Sequence, residues 1–249
     1  MAEFHFEPIP ATTLVDLLRW RAIHQPQLQA YTFLEDGETT ETHWNYAELD
    51  HHARAIGAQL RNLGAADERV LLLYPPGLNY VAAFFGCLYA GAVAVPTYPP
   101  RRNRPDPRLE MIAKNSRASF CMTEAAVLSG LEQRLAHLPD LAQLQWLTTE
   151  QIDHTLAGQW QAPIATTDTL AFLQYTSGST GSPKGVKISH GNVLHNAAMI
   201  QHGFGDTPTS RGLSWLPPYH DMGLMAIIQP LYVGAPTVLI AVQVSVDGS

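Results

Sequence analysis

Between residues 69 and 98 the chain carries apolar blocks separated by punctuation. Arg69-Val70-Leu71-Leu72-Leu73-Tyr74 ends in Pro75-Pro76-Gly77, residues 79–90 end in Gly91, and Ala92-Val93-Ala94-Val95 ends in Pro96. A strand with one wet face alternates polar and apolar residues. The first and last of these blocks do not alternate, so both of their faces must be covered. The middle block has the length of a helix. Strand, buried helix and buried strand at this spacing make a βαβ unit with a right-handed crossover. Residues 212–246 are also nearly uncharged if His220 and Asp221 are set aside, but Pro230, Gly234 and Pro236 interrupt them. Neither stretch is a clean membrane span.

The rest of the chain extends this pattern. Thr13 and Asp16 mark the start of a helix that Pro26 stops. Asp36-Gly37 joins a hairpin of residues 30–34 and 38–44. Asn45 with Glu48 opens a helix whose Leu49, Ala53, Ile56, Leu60 and Leu63 share one face, and Gly64 ends it. A helix around residues 109–115, a strand at 119–123 and a helix within 124–137 form a further unit. The pattern weakens over 144–169, where we expect a linker near 159–167. Strands at 170–175, 186–189, 213–216 and 237–242 and helices at 192–204 and 222–233 complete the chain. The expected fold is α/β, built from βαβ units with largely parallel sheets covered by helices. We expect a first α/β subdomain over residues 1–160 and the start of a second over 161–249. An interrupted sheet would leave an unpaired edge near 237–242 and exposed apolar helix faces.

Composition narrows the function classes. Lysine plus arginine number 15 against 22 acids, a net charge of −7, which argues against a nucleic-acid surface. The cysteines, Cys87 and Cys121, lack metal or redox spacing and read as packed, reduced residues. The first residues lack the basic end and apolar run of a secretory signal, which points to a cytoplasmic location.

Two segments carry chemistry. Gln174-Tyr175-Thr176-Ser177-Gly178-Ser179-Thr180-Gly181-Ser182-Pro183-Lys184-Gly185 combines glycines, hydroxyls and a lysine, the inventory of a loop that holds oligophosphate. It is not the nucleoside-triphosphatase P-loop, because Pro183 stands where the second glycine belongs and Gly185 where the magnesium-binding hydroxyl belongs. A P-loop also feeds a helix, whereas Val186-Lys187-Ile188-Ser189 alternates like a strand. The bland alternative is a flexible Gly/Ser turn. The second segment, Pro217-Pro218-Tyr219-His220-Asp221-Met222-Gly223, follows a strand. Ligands in α/β folds gather at strand carboxyl ends, although a lone His-Asp pair is no metal site.

These residues resemble the phosphate-loop signature of the acyl-adenylate-forming enzymes: acyl-CoA synthetases, nonribosomal-peptide adenylation domains and luciferases. Leu216-Pro217-Pro218-Tyr219-His220-Asp221-Met222-Gly223-Leu224 and Pro96-Thr97-Tyr98-Pro99-Pro100-Arg101-Arg102 are similar to fatty acyl-AMP ligases in particular. The resemblance covers about residues 12–240. It implies that a fatty acid and ATP, with Mg2+, give acyl-adenylate and pyrophosphate, and that the acyl group passes to the phosphopantetheine of an acyl carrier protein. Thr176, Ser177, Gly178, Ser179, Thr180, Gly181 and Gly185 match the loop for the β- and γ-phosphates, and Lys184 would follow the departing pyrophosphate. His220 matches the residue beside the adenylate, as a cation, a donor or a gate. Tyr219 and Asp221 would lie beside the acyl-adenylate, and Met222, Gly223 and the helix after them, facing residues 192–204, would border the acyl tunnel. Arg101 and Arg102 read either as a solvated loop or as a contact for the carrier protein. The resemblance also implies magnesium, adenine and ribose contacts and a C-terminal catalytic lysine that these residues do not include, so the chain alone is expected to adenylate poorly. The alternatives are a non-catalytic nucleotide- or lipid-binding remnant, half of a split enzyme, and a ligase for CoA, aryl acids or amino acids.

Overall fold

The computed structural model describes residues 9–99, 106–176 and 183–241. Helix α1 (Leu14–His24) starts on a capping box between Thr13 and Asp16. Strands β1 (Gln29–Leu34) and β2 (Glu41–Asn45) form the expected hairpin. Helix α2 (Tyr46–Asn62) starts on the reciprocal Asn45–Glu48 capping box and buries Leu49, Ala53, Ile56 and Leu60. Strand β3 (Arg69–Leu73), helix α3 (Leu78–Ala90) and strand β4 (Val93–Thr97) are the apolar blocks of the opening pattern. Every residue of α3 except Asn79 is buried, as are all of β4 and, in β3, all but Arg69.

Helix α4 (Pro107–Ser116), strand β5 (Phe120–Thr123), helices α5 (Ala125–Leu135) and α6 (Pro139–Ala142) and strand β6 (Gln145–Thr148) follow. Beyond them come β7 (Leu170–Thr176), β8 (Lys184–Ser189), α7 (His190–Phe204), β9 (Gly212–Ser214), α8 (Asp221–Val233) and β10 (Thr237–Ile240).

Among the described residues these strands make a six-stranded sheet in the order β6-β5-β3-β4-β7-β8 and a four-stranded sheet in the order β2-β1-β10-β9. All neighbours are parallel except the β1–β2 and β7–β8 pairs, so the fold is the expected α/β type with largely parallel sheets. Each sheet takes strands from both sides of residue 160, so that position is not a boundary between sheets.

Two expectations are corrected. The weak region holds β6, paired in parallel with β5. It is a four-residue edge strand with Gln145 exposed, and an edge strand needs no continuous apolar run. The segment expected to be an unpaired edge is instead interior to its sheet: β10 pairs with β1 on one side and β9 on the other. Its partner β1 lies some two hundred residues earlier, a contact that local patterning cannot reveal. Apolar side chains are exposed on the helices, as expected: Met199 and Phe204 on α7 and Met222 on α8.

A buried charge network ties the first helices together. The Asp50 carboxylate accepts from Arg19 at 2.6 Å, Arg54 at 2.8 Å and the Tyr89 hydroxyl at 2.8 Å. With both cations and a donor in place, the cost of removing this carboxylate from water is offset. Arg54 also donates to the Ala157 carbonyl, and Trp160 donates to that of Tyr89, which pins the connection toward β7 against α2 and α3.

Candidate active site

Strand β7 delivers the hydroxyl-rich loop and β8 receives it. Their antiparallel register pairs Thr176 with Lys184 and Tyr175 with Gly185, so the base of the loop is held by a strand ladder. This differs from the strand-to-helix turn of a P-loop, as the alternation of residues 186–189 predicts. Ser177, Gly178, Ser179, Thr180 and Gly181 lie outside the described residues, as do Arg101 and Arg102. Lys184 is exposed. The ring of Tyr175 lies against Gly185, where a Cβ would fall 3.0 Å from the ring, and its hydroxyl donates to Asn115 on α4 at 2.6 Å. Gly185 thus serves the close approach of Tyr175 inside the ladder.

The Pro217–Asp221 segment is held from below. His220 N–H donates to the Pro217 carbonyl at 3.1 Å, closing a turn, and the His220 carbonyl accepts from Leu224 at the start of α8. His220 has an extended N-cap backbone, and its side chain makes no capping bond, leaving the exposed imidazole available. Gly223 packs so tightly under the turn that a Cβ would overlap the Pro217 carbonyl. The buried Tyr80 hydroxyl of α3 donates to the Pro218 carbonyl at 2.8 Å. The ring of Tyr219 stands between those of Tyr98 and His220, with centroids at 5.9 and 5.1 Å.

A side-chain hydrogen bond joins the two segments. Gln174 Nε2 donates to the Tyr219 carbonyl at 3.0 Å, so β7 and the His220 turn are fixed relative to each other. Beside this bond lies a cavity of about 190 Å³. Phe172, Ile188, Val193, Leu224 and Met225 form its apolar wall, while Gln174, Asn192, Asn196 and Asp221 supply polar groups. Of the segment expected at an acyl tunnel, Leu224 and Met225 of α8 line this cavity opposite Asn192, Val193 and Asn196 of α7, and Asp221 lines it too, whereas Met222 is 66% exposed and Gly223 is buried under the turn. Sequence reading missed Phe172 and Gln174 as cavity residues. The signal was present in the period of two along β7, which puts Phe172, Gln174 and Thr176 on one face and Leu173 and Tyr175 on the other.

Among the described residues no group of three His, Cys, Asp or Glu side chains could hold a metal ion. No helix among them is long and apolar enough to cross a membrane. Cys87 and Cys121 are buried, and burial raises both thiol pKa values well above the usual range, which makes them packing residues.

The fold and these segments place the chain in a class: it belongs to the family of AMP-binding enzymes, whose model matches residues 18–247. Within that class it is similar to fatty acyl ligases. It is 44% identical over 230 residues to the medium-chain-fatty-acid–[acyl-carrier-protein] ligase JamA of Moorena producens, a match covering 90% of this chain and 39% of JamA. It is 32% identical to the long-chain-fatty-acid–AMP ligase FadD32 of Mycolicibacterium smegmatis, over 90% of this chain and 36% of that protein. The crystal structure of a fatty acyl-adenylate ligase from L. pneumophila, in complex with acyl adenylate and pyrophosphate, superposes with a TM-score of 0.86 at 38% identity. That superposition covers 94% of this chain and 40% of the ligase. The chain therefore spans about two fifths of the length of these relatives.

Proposed function

We propose that this chain is the part of an ATP-dependent fatty acid ligase that holds the triphosphate and the acyl chain. The observation that carries the reading is the Gln174–Tyr219 bond, which sets the base of the hydroxyl-rich loop, the His220 turn and the apolar cavity side by side.

In this reading a carboxylate oxygen bonds to the α-phosphorus of ATP while the bond to pyrophosphate breaks, leaving acyl-adenylate. The phosphopantetheine thiol of a carrier protein then attacks the acyl carbonyl, loses its proton and displaces AMP. The barrier of the first step is electrostatic and positional, because two anions must meet. Thr176 and Lys184, at the closed end of the ladder, supply a hydroxyl and a cation to the phosphates, together with Ser177, Gly178, Ser179, Thr180 and Gly181 from the loop itself. Lys184 neutralises charge on the departing pyrophosphate. His220 stands at the carboxylate as a donor, and Tyr219 and Asp221 flank it. The cavity between α7 and α8 takes the start of the alkyl chain and excludes water from the reacting end.

Isothermal titration of the chain with pyrophosphate and with octanoate tests the reading. Lys184→Ala is expected to weaken pyrophosphate at least tenfold and leave octanoate unchanged, because a charge-assisted contact is worth about 1.5–3 kcal/mol. Binding of neither ligand by the unmodified chain overturns the proposal. Exchange of labelled pyrophosphate into ATP by the chain alone is expected to be weak.

A further inference from the structure

Gln174 and Tyr175 are neighbours on β7, and their side chains leave opposite faces of the strand. On one face Gln174 holds the Tyr219 carbonyl of the His220 turn. On the other, the buried Tyr175 packs in one apolar cluster with Leu173 and with Leu109, Ile112 and Ala113 of α4. Its ring crosses to β8 and covers Gly185, the residue after Lys184, and its hydroxyl reaches on to Asn115 Oδ1 in the last turn of α4 at 2.6 Å. Burial raises the pKa of this hydroxyl, so it keeps its proton and donates it to the amide oxygen. The other end of α4 is tied as well. Asp106 caps the helix by accepting from the Leu109 N–H at 3.1 Å, and it accepts from the Tyr98 hydroxyl at 3.2 Å, while the ring of Tyr98 meets that of Tyr219. Helix α4 is thus linked through Tyr98 to the segment that carries His220 and through Tyr175 to the base of the hydroxyl-rich loop.

Resting on the phosphate-site reading above, we infer that Asn115 is a positioning residue for the phosphate loop, which holds the Tyr175 ring across Gly185 and so fixes the end of the ladder that presents Thr176 and Lys184. The need for such a tie follows from the topology. Strand β8 is the outer strand of its sheet, so its backbone is paired on one side only, with β7. At the last rungs of that pairing, Gly185 brings no side chain of its own to pack. The ring of Tyr175 fills that place, and a ring bonded at its hydroxyl is held in one orientation where a free one would turn away. Asn115 is itself exposed and outside the ladder, so its influence on the phosphates runs through the Tyr175 hydroxyl.

The test is isothermal titration of the 249-residue chain with pyrophosphate and with octanoate, in the unmodified form, Asn115→Ala, Tyr175→Phe and the double variant. Each single substitution is expected to weaken pyrophosphate about three- to tenfold, the share of one neutral hydrogen bond, and to leave octanoate unchanged. The double variant is expected to lose no more than either single one, because both remove the same bond. Both changes are mild, since Asn115 is exposed and phenylalanine keeps the ring over Gly185. Unchanged pyrophosphate affinity in Asn115→Ala overturns the inference. Losses that add in the double variant, or a loss in Asn115→Ala with none in Tyr175→Phe, put Asn115 on the phosphates directly and overturn its positioning role. An equal loss of octanoate affinity marks a general loosening of the fold and overturns it too. All three outcomes leave the phosphate site standing, whereas failure of the unmodified chain to bind pyrophosphate overturns that site and this inference with it.

Discussion

Helices α3 and α8 are built alike and used differently. Each has 13 residues, each begins at an N-cap without a side-chain bond, and each ends in a left-handed glycine, Gly91 at φ 74° and Gly234 at φ 86°. The left-handed turn suits glycine, which lacks the Cβ that would collide there. Helix α3 is enclosed by α1, α2 and strands β1, β3 and β4, and only Asn79 escapes burial. Helix α8 packs on α1, α7 and β9, with Met222 outward and Leu224 and Met225 on the cavity. Its last carbonyls are capped from α1, where Arg21 donates to Leu231 at 3.0 Å and Tyr232 at 2.7 Å. An apolar helix is therefore not in itself a core helix. Where α8 faces α7 the packing is incomplete, and the gap between them is the cavity.

Substitutions that probe close packing should separate the two helices most strongly. A Cβ at Gly86 would overlap the Ile56 side chain of α2, with nothing in that enclosed layer able to yield. Gly86→Val is expected to cost about 3 kcal/mol in urea denaturation. Gly223→Ala strikes the Pro217 backbone carbonyl of a turn held by the Tyr80 and Gln174 bonds, so it should also lose stability, and unlike Gly86→Val it should lower octanoate affinity by more than tenfold in the fraction that folds. Unchanged octanoate affinity in folded Gly223→Ala would erase the distinction.

Acidification probes the contact between the two regions. His190, the first residue of α7, accepts through Nδ1 from the Leu14 N–H of α1 at 3.2 Å. Burial holds its pKa down at about 4, against a smaller opposing effect of Asp16. His52 on α2 is also lowered to about 4, by burial first and then by His154 and His51, with Glu48 opposing. In the unfolded chain both titrate near 6.5, so the unfolded state binds more protons between these values. Their stabilisation is full above about pH 6.5, is lost as pH falls toward 4 and is constant below that. The His190 share is on the order of 2 kcal/mol, and His190→Gln should flatten that part of the pH profile in thermal denaturation. Smaller still, Tyr80→Phe leaves the Pro218 carbonyl without its buried donor and should cost about 1 kcal/mol. Met222→Ala should change stability by less than about 0.5 kcal/mol, because the side chain is 66% exposed.

Much of this was legible from local rules. The Asn45–Glu48 box, Gly91 after an apolar block and the alternation after Lys184 each act within a few residues, and each appears where expected. Strand β6 was not legible, since an edge strand of four residues carries too little pattern. The pairing of β10 with β1 was not legible either, because it depends on where the intervening helices place the chain. At the site, Lys184 and the Tyr219-His220-Asp221 run stand out by composition. Gln174 does not, because a glutamine in a strand acquires meaning only when its amide is seen to hold the Tyr219 carbonyl.

The pairing of β1 with β10 also orders the birth of the molecule. All strands of the six-stranded sheet have been synthesised once residue 189 is made, whereas β1, made among the first 34 residues, must wait for residues 237–240 before its parallel partner exists. Until then β1 has the β2 hairpin beside it, and the long loop that must close slows the pairing with β10. An intermediate with the larger sheet assembled and the flank of β1 open is the species that a chaperone would meet on this chain during synthesis.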